Sequence, residues 1–335
     1  MNAHLKIRML TAWRTTLGAI AAVCILASMT PARLAQDAPV QAEQVLKVTS
    51  GLVNLYTVVR DKNRPVAGLN RDDFELTEDN KPQEIRFFSR ETDTPLTLGI
   101  LIDTSGSQEH VLGVEQREAK TFIEQVIHKN DLAFVLRFDV EVELLQDLTS
   151  NKRLLAQAID STVVNTGGGG VVPGPFPISG SGGTNLHDAV YLSARELLKG
   201  EVGRKVIIIL SDGQDTGSSK TLNEALETAQ RSDVIIYSVA VIDRRFYDIA
   251  SMGFSGDSVL KKYAEQTGGR VIEVSRIEDT AQAFREIAEE LRTQYSLGYT
   301  SSNTRRDGSF RKIQVKIRNR NYKVLARRGY YAPTE

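Results

Sequence analysis

The chain has 335 residues, of which 41% are hydrophobic and 25% are charged, and its 42 basic residues balance 42 acidic ones. This composition is typical of one or two globular domains with a sizeable buried core, and it excludes a disordered tail or a fibre. The balanced charge also argues against a general affinity for nucleic acid or anionic lipid.

The N-terminus has the layout of a secretory signal peptide. Three basic residues within positions 6–14 precede an apolar run from Leu17 to Met29, and small residues follow up to Ala38. A transmembrane helix needs about 20 apolar residues, so this run is short for a span. We expect residues 1–36 to be a signal peptide that directs export and is removed; the alternative is an uncleaved anchor.

Removal of this segment changes the cysteine content and the charge. The only cysteine, Cys24, lies inside it, and Val23 stands where a lipidation site would need a small residue. The segment holds four of the 42 basic residues and no acid, which leaves 38 basic against 42 acidic residues. We therefore expect a mature protein without disulfides and with a slightly negative balance.

The segment at residues 37–92 has β character. Runs such as 51–59 and 74–77 are separated by turn formers at 61–65, 68–70 and 79–82, and no helical period is present. These features predict short strands joined by tight turns.

Short apolar runs alternate with amphipathic helical stretches across residues 95–294. The predicted strands are residues 97–102, 133–138, 206–210, 234–241 and 271–274. The predicted helices are residues 111–129, 152–160, 186–198, 222–232, 258–266 and 279–294. This alternation predicts an α/β domain with a doubly wound, mostly parallel sheet covered on both faces. Residues 141–145 follow the second strand too closely for a crossover, so we expect an antiparallel edge hairpin there.

The C-terminal segment, residues 295–335, returns to β character. Apolar and polar residues alternate over 295–299, 311–317 and 323–326, around a turn at 306–309. Neither terminal segment has enough apolar positions to stand alone, so we expect residues 295–335 to pair with 45–92 in one small β-sandwich that flanks the α/β domain. Two separate appendages would produce the same pattern.

Oxygen-bearing side chains follow two of the predicted buried strands. Asp103, Ser105 and Ser107 come at the end of the first strand, and Asp212 comes directly after the strand at 206–210. Thr184 follows two glycines and opens a helix. Because ligands of open parallel sheets bind beyond the carboxyl ends of the strands, we expect these side chains to converge on one crevice.

Two carboxylates and three hydroxyls form an oxygen-only set with little charge. Such a set suits a hard cation such as Mg²⁺, with Mn²⁺ or Ca²⁺ as alternatives. The cation would keep net positive charge and an open position, so it could accept a carboxylate from a partner.

These motifs resemble the metal-ion-dependent adhesion site of von Willebrand factor type A domains. The matching elements are Asp-x-Ser-x-Ser after the first strand, Gly-Gly-Thr before a middle helix and Leu-Ser-Asp-Gly after the fourth strand, and the resemblance covers residues 95–294. It implies a Rossmann-like fold with Asp103, Ser105, Ser107, Thr184 and Asp212 around the metal, some of them through water. The flanking segments resemble bacterial exported proteins built around such a domain.

Two further features accompany this site. The loop between Asn165 and Thr184 contains eight glycines and three prolines. It is either a selectivity loop beside the metal or a flexible insertion without contacts. His187 is close to Thr184 in sequence, and we interpret it as an ordinary helix residue.

Enzymatic alternatives fit the sequence less well. A phosphatase nucleophile motif of the haloacid dehalogenase type would need an acid where Ser105 stands. A serine hydrolase would need a Gly-x-Ser-x-Gly turn and a histidine partner, and no such turn follows a strand. We therefore expect a non-enzymatic protein.

A polyanion binder is the third class. Residues 305–328 contain ten Lys/Arg and one acid, Asp307. Charges that protect a sheet edge explain this composition, and weak attachment to an anionic polymer is the alternative. The overall expectation is an exported, adhesion-type binding module that captures an acidic group of a protein partner through a divalent cation.

Overall fold

The structure is a computed structural model that describes residues 51–62, 64–90, 94–165, 183–241, 256–318 and 320–334. All of these lie within the unit Val48–Glu335. The predicted signal peptide and most of the glycine-rich loop lie outside the described residues. Within the described ranges, no helix combines the length and the apolar character needed to span a membrane.

The N-terminal segment forms short strands. These are β1 (Leu52–Asp61), β2 (Arg64–Pro65), β3 (Phe74–Glu78), β4 (Lys81–Pro82) and β5 (Ile85–Arg90). Asp79 and Asn80 make the β3–β4 turn with positive φ angles of 48° and 64°. Such angles suit a two-residue hairpin turn, in which Asp and Asn are tolerated best after glycine.

The middle of the chain alternates strands and helices. Its strands are β6 (Leu96–Asp103), β7 (Leu132–Phe138), β8 (Val142–Thr149), β9 (Arg204–Leu210), β10 (Val234–Val241) and β11 (Val271–Val274). Its helices are α1 (Leu112–Val126), α2 (Lys152–Asp160), α3 (Leu186–Leu192), α4 (Leu222–Arg231), α5 (Gly256–Thr267) and α6 (Thr280–Arg292).

These strands form one sheet in the order β11-β10-β9-β6-β7-β8. All neighbouring pairs are parallel except β7 and β8, which are antiparallel. Every residue of β6 and β9 is buried. Their alternate side chains enter two different apolar clusters, with Leu98 in one and Leu101 in the other. The sheet is therefore covered by helices on both faces, which is why its central strands are apolar throughout.

The C-terminal segment adds β12 (Tyr295–Thr300), β13 (Phe310–Ile317), β14 (Lys323–Leu325) and β15 (Gly329–Tyr331). Strand β1 pairs with β12 and β14, and β13 pairs with β3. Both ends of the chain thus contribute to both small sheets, one ordered β14-β1-β12-β5 and the other β15-β13-β3-β4. Their facing side chains share one core, in which Phe74 packs edge-on against Tyr295.

A charged network joins the two parts of this unit. Arg60 on β1 and Arg270, just before β11, both donate to Oε1 of Glu290 on α6; the Arg270 distance is 2.7 Å. Glu286 also accepts from Arg270 at 2.5 Å. The β-sandwich and the α/β domain therefore share a mostly buried ion pair as well as a covalent connection.

The predicted fold class is confirmed: an α/β unit with a mostly parallel sheet and flanking antiparallel sheets. Differences are local. The α-hydrogen bonding of α3 ends at Leu192, and residues Ser193–Leu197 continue as a π-turn where one continuous helix was expected. The sequence predicts turns at 61–65 and 79–82, and the structure has the short strands β2 and β4 at the ends of these segments. Each strand is only two residues long and pairs at the base of a tight turn.

Candidate metal site

Asp103, the last residue of β6, is completely buried. Its Oδ1 accepts a hydrogen bond from the main-chain N–H of Ser105 at 2.9 Å, and its Oδ2 accepts one from the hydroxyl of Ser211 at 2.6 Å. The Oγ atoms of Ser105 and Ser107 are 3.2 Å apart. One carboxylate and two hydroxyls therefore cluster at the carboxyl end of a central strand, as the sequence predicts.

The loop after β9 supplies the second acid. Asp212 is buried, and its Oδ1 accepts from the N–H of Gln214 at 3.1 Å. Gly213 has a φ of +84°, a left-handed conformation that favours glycine, and its N–H donates to the Ser211 hydroxyl at 2.9 Å. This turn lets Ser211 bind Asp103 while the next residue presents its own carboxylate at the same edge of the sheet.

Thr184 is positioned by its main chain. Its N–H donates to the hydroxyl of Thr216 at 3.0 Å, and its carbonyl accepts from the N–H of Thr216 at 3.0 Å. Thr216 belongs to the loop that begins with Asp212. The next residue, Asn185, donates through Nδ2 to the carbonyl of Val140 at 2.7 Å. Thr184 is therefore held against the Asp212 loop, and its role as a metal ligand stays a prediction.

The electrostatics show that the two acids lie within range of each other. The pKa of Asp103 is raised to about 7, mainly by burial and also by the negative charge of Asp212, although hydrogen bonds from Ser105 and Ser211 act in the opposite direction. The donors to Asp103 are neutral, so nothing in its hydrogen bonds offsets its charge. A bound cation would supply that offset.

Three polar residues at this site were not anticipated from the sequence. Ser211 binds Asp103, and Glu115 on α1 is fully buried with neither carboxylate oxygen hydrogen-bonded. Gln108 is also buried; its Nε2 donates to Oγ of Ser107 at 3.2 Å, and its Oε1 has no partner. The burial of Glu115 could have been suspected from the sequence, because Glu115 lies on the same apolar face of a helix as Ala119.

The pKa of Glu115 is raised to about 8, mainly by burial and also by the negative charges of Asp103 and Asp212. Glu115 lies in the first turn of α1, which follows the loop that carries Ser105 and Ser107, so it belongs to the same end of the sheet as that loop. In the ranges that the structure covers, no set of three or more His, Cys, Asp or Glu side chains is arranged to hold a metal ion. The predicted set does not need one, since it combines two carboxylates with hydroxyls.

His187 takes part in a separate polar group at the start of α3. Its Nδ1 is 3.0 Å from the hydroxyl of Tyr263, and its main-chain N–H donates to Asp215 at 2.9 Å. Burial lowers the pKa of His187, while Asp215 and Asp188 oppose that change. The residue lies inside a helix-start network, which agrees with its interpretation as an ordinary helix residue.

The residues present fit a hard divalent cation. The side chains predicted to hold the ion offer oxygen atoms, and two of them are acidic. Buried acceptor oxygens of Glu115 and Gln108 face no donor in the described part of the chain. A family model for the von Willebrand factor type A domain matches residues 98–287, more than half of the chain. The chain belongs to the von Willebrand factor type A domain family. The resemblance inferred from the sequence is thereby confirmed.

Several solved structures are similar to the chain at low sequence identity. The BatB protein of Bacteroides thetaiotaomicron has 16% identity and a TM-score of 0.43, over 58% of this chain and 98% of that one. A protein from Catenulispora acidiphila with this domain has 12% identity and a TM-score of 0.48, over 85% and 74%.

Proximal thread matrix protein 1 of the mussel byssus, in a structure with a zinc-occupied adhesion-site motif, has 16% identity and a TM-score of 0.47; the match covers 64% of this chain and 49% of that protein. No curated protein sequence matches the chain. At these levels of similarity, the relatives indicate nothing about the ligand or partner of this protein.

Proposed function

We propose that this protein is an exported binding module that captures an acidic group of a protein partner through a divalent cation. Asp103, Ser105, Ser107, Thr184 and Asp212 hold the cation, directly or through water. Mg²⁺ is the expected ion, with Mn²⁺ or Ca²⁺ as alternatives. When bound, the cation supplies a positive centre that a carboxylate of the partner completes.

The observation that carries this proposal is the buried acid pair. Asp103 is completely buried, Asp212 is nearly so, and the negative charge of Asp212 acts on Asp103. Burying two like charges is unfavourable unless an opposite charge joins them. The neighbouring hydroxyls of Ser105 and Ser107 add oxygen ligands without adding charge, which leaves a bound Mg²⁺ able to attract an acid from outside.

We also propose that the protein is not an enzyme. Its site offers carboxylates and hydroxyls around one ion, and the buried His187 is committed to Tyr263 and to the start of α3. Export rests on the layout of residues 1–36, and an adhesion-type role rests on the family and on the open cation position.

The metal half of the proposal is tested by thermal melts in EDTA and in Mg²⁺. At a Mg²⁺ concentration about 100 times Kd, the wild type should gain about 2.7 kcal/mol. Asp103→Ala with Asp212→Ala should fold and lose this gain. The matched control is Asp72→Ala with Asp147→Ala, which removes two exposed acids and should keep it. An undiminished Mg²⁺ response in the site variant would contradict the proposal.

The partner half is tested by capture from the source cells with immobilised protein. The bound partner should be lost in EDTA and with the Asp103/Asp212 variant, and it should be retained with the Asp72/Asp147 control. Equal capture by the wild type with and without EDTA, by the Asp103/Asp212 variant and by the Asp72/Asp147 control would contradict cation-dependent binding. Turnover of a substrate that disappears in the site variant would instead support an enzyme.

A further inference from the structure

Glu115 is an acidic side chain in an apolar setting. It lies in the first turn of α1, it is fully buried, and neither carboxylate oxygen has a hydrogen-bond partner in the described residues. Ala119 and Phe122, one and two turns further along the helix, belong to the main apolar cluster. A carboxyl group in this position is unfavourable unless a proton, a donor or a cation balances it.

The charges around Glu115 are negative. Asp103 and Asp212 are the charged groups that act on it, and no basic side chain of the described residues contributes. Asp103 receives its hydrogen bonds from the neutral groups of Ser105 and Ser211. The inner side of the site therefore holds three acids, and either a proton or a cation would relieve their repulsion.

Gln108 provides an independent observation. Its Nε2 donates to Ser107, a predicted ligand, while its buried Oε1 has no partner. The unpaired atoms of Gln108 and Glu115 are oxygens that accept hydrogen bonds, so each of them lacks a hydrogen-bond donor. Water molecules bound to a cation are donors, and Mg²⁺ usually keeps several of them in protein sites.

The described residues contain no set of three or more His, Cys, Asp or Glu side chains placed to hold one ion, which favours an indirect role for Glu115. We propose that Glu115 is a positioning residue of the metal site: it accepts a hydrogen bond from a water on the cation and adds a third negative charge on the protein side. This inference rests on the proposed function, in which Asp103 and Asp212 hold the cation. Groups that orient the ligands of a metal typically change its affinity 10- to 100-fold.

The test is a Mg²⁺ titration by calorimetry on protein freed of metal with EDTA, using wild type, Glu115→Gln and Glu124→Gln. Glu124 lies on the same helix, about 13 Å further along its axis, with an exposed side chain, so its variant makes the same charge change away from the site. Glu115→Gln should raise the Kd for Mg²⁺ about 10-fold or more. Glu124→Gln should leave it within about 2-fold.

Thermal melts separate positioning from a purely structural role. In EDTA, Glu115→Gln should melt at or above the wild type, because it removes an uncompensated buried acid. In Mg²⁺ it should melt below the wild type. A structural role would shift both melts in the same direction by the same amount, and that result would overturn the proposal.

The remaining outcomes are also decisive. An unchanged Kd in Glu115→Gln, with a wild type that binds Mg²⁺, would overturn this inference and leave the proposed function intact. A wild type that binds none of Mg²⁺, Mn²⁺ and Ca²⁺ in the same titration would remove both. If Glu115→Gln fails to fold, Glu115→Met takes its place; failure of both in EDTA would overturn the inference, since a carboxylate that serves the cation is dispensable without it.

Discussion

The ion pair between the sandwich and the α/β domain allows a quantitative prediction for Glu290→Gln. The Glu290 side chain is completely buried, and its two partners, Arg60 and Arg270, are 5% and 16% exposed. Removing one member of a buried pair costs about 3–5 kcal/mol, because it leaves uncompensated charge. Both arginines keep Glu286, at 4.0 and 2.5 Å, so we expect the lower end of this range.

A loss of about 3 kcal/mol corresponds to a decrease in Tm of roughly 6–12 °C for a domain of this size. Scanning calorimetry of wild type, Glu290→Gln and Glu289→Gln measures it. Glu289 is the exposed neighbour on α6, so its variant makes the same chemical change in solvent and should melt within about 2 °C of wild type. If both variants melt at the same temperature, the ion pair does not stabilise the junction and the reasoning is wrong.

Two further predictions concern packing and pH. A Cβ on Gly99 would lie 2.3 Å from the ring of Phe134, so Gly99→Ala should lower the free energy of unfolding, measured by urea denaturation, by about 1–3 kcal/mol. Gly113 on α1 has open space around it, so Gly113→Ala should leave that free energy unchanged or raise it by up to about 1 kcal/mol. Equal effects of the two variants would refute the packing argument. Burial lowers the pKa of His187 in the folded protein, so protons bind more readily to the unfolded chain, and stability should fall as the pH drops below about 6.5. In EDTA, His187→Gln should reduce this loss of stability, while His110→Gln, at an exposed position, should retain it. If the free energy of unfolding falls with pH by the same slope in both variants, His187 is not the cause.

Site residues that lie next to a strand end could be predicted from the sequence, and the others could not. Asp103 and Asp212 follow apolar runs that only a buried parallel strand explains, so their convergence could be inferred without coordinates. Ser211 also follows the apolar run of β9, but the sequence does not reveal that its hydroxyl binds Asp103, because this contact involves the turn at Gly213 with its positive φ. Glu115 required the contacts of α1 with the sheet, because a single acid on a helix face does not reveal what lies opposite.

The sequence by itself determined the α/β class, the order of buried strands and amphipathic helices, and the oxygen-rich motifs at the strand ends, because these follow from local periodicity and residue chemistry. Pairing between distant segments is different, since it depends on which surfaces meet after the chain has collapsed. The register of β1 against β12 and the ion pair of Arg60 with Glu290 join residues more than 200 positions apart. Only the tertiary structure decided these contacts and buried Glu115 without a hydrogen-bond partner among the described residues.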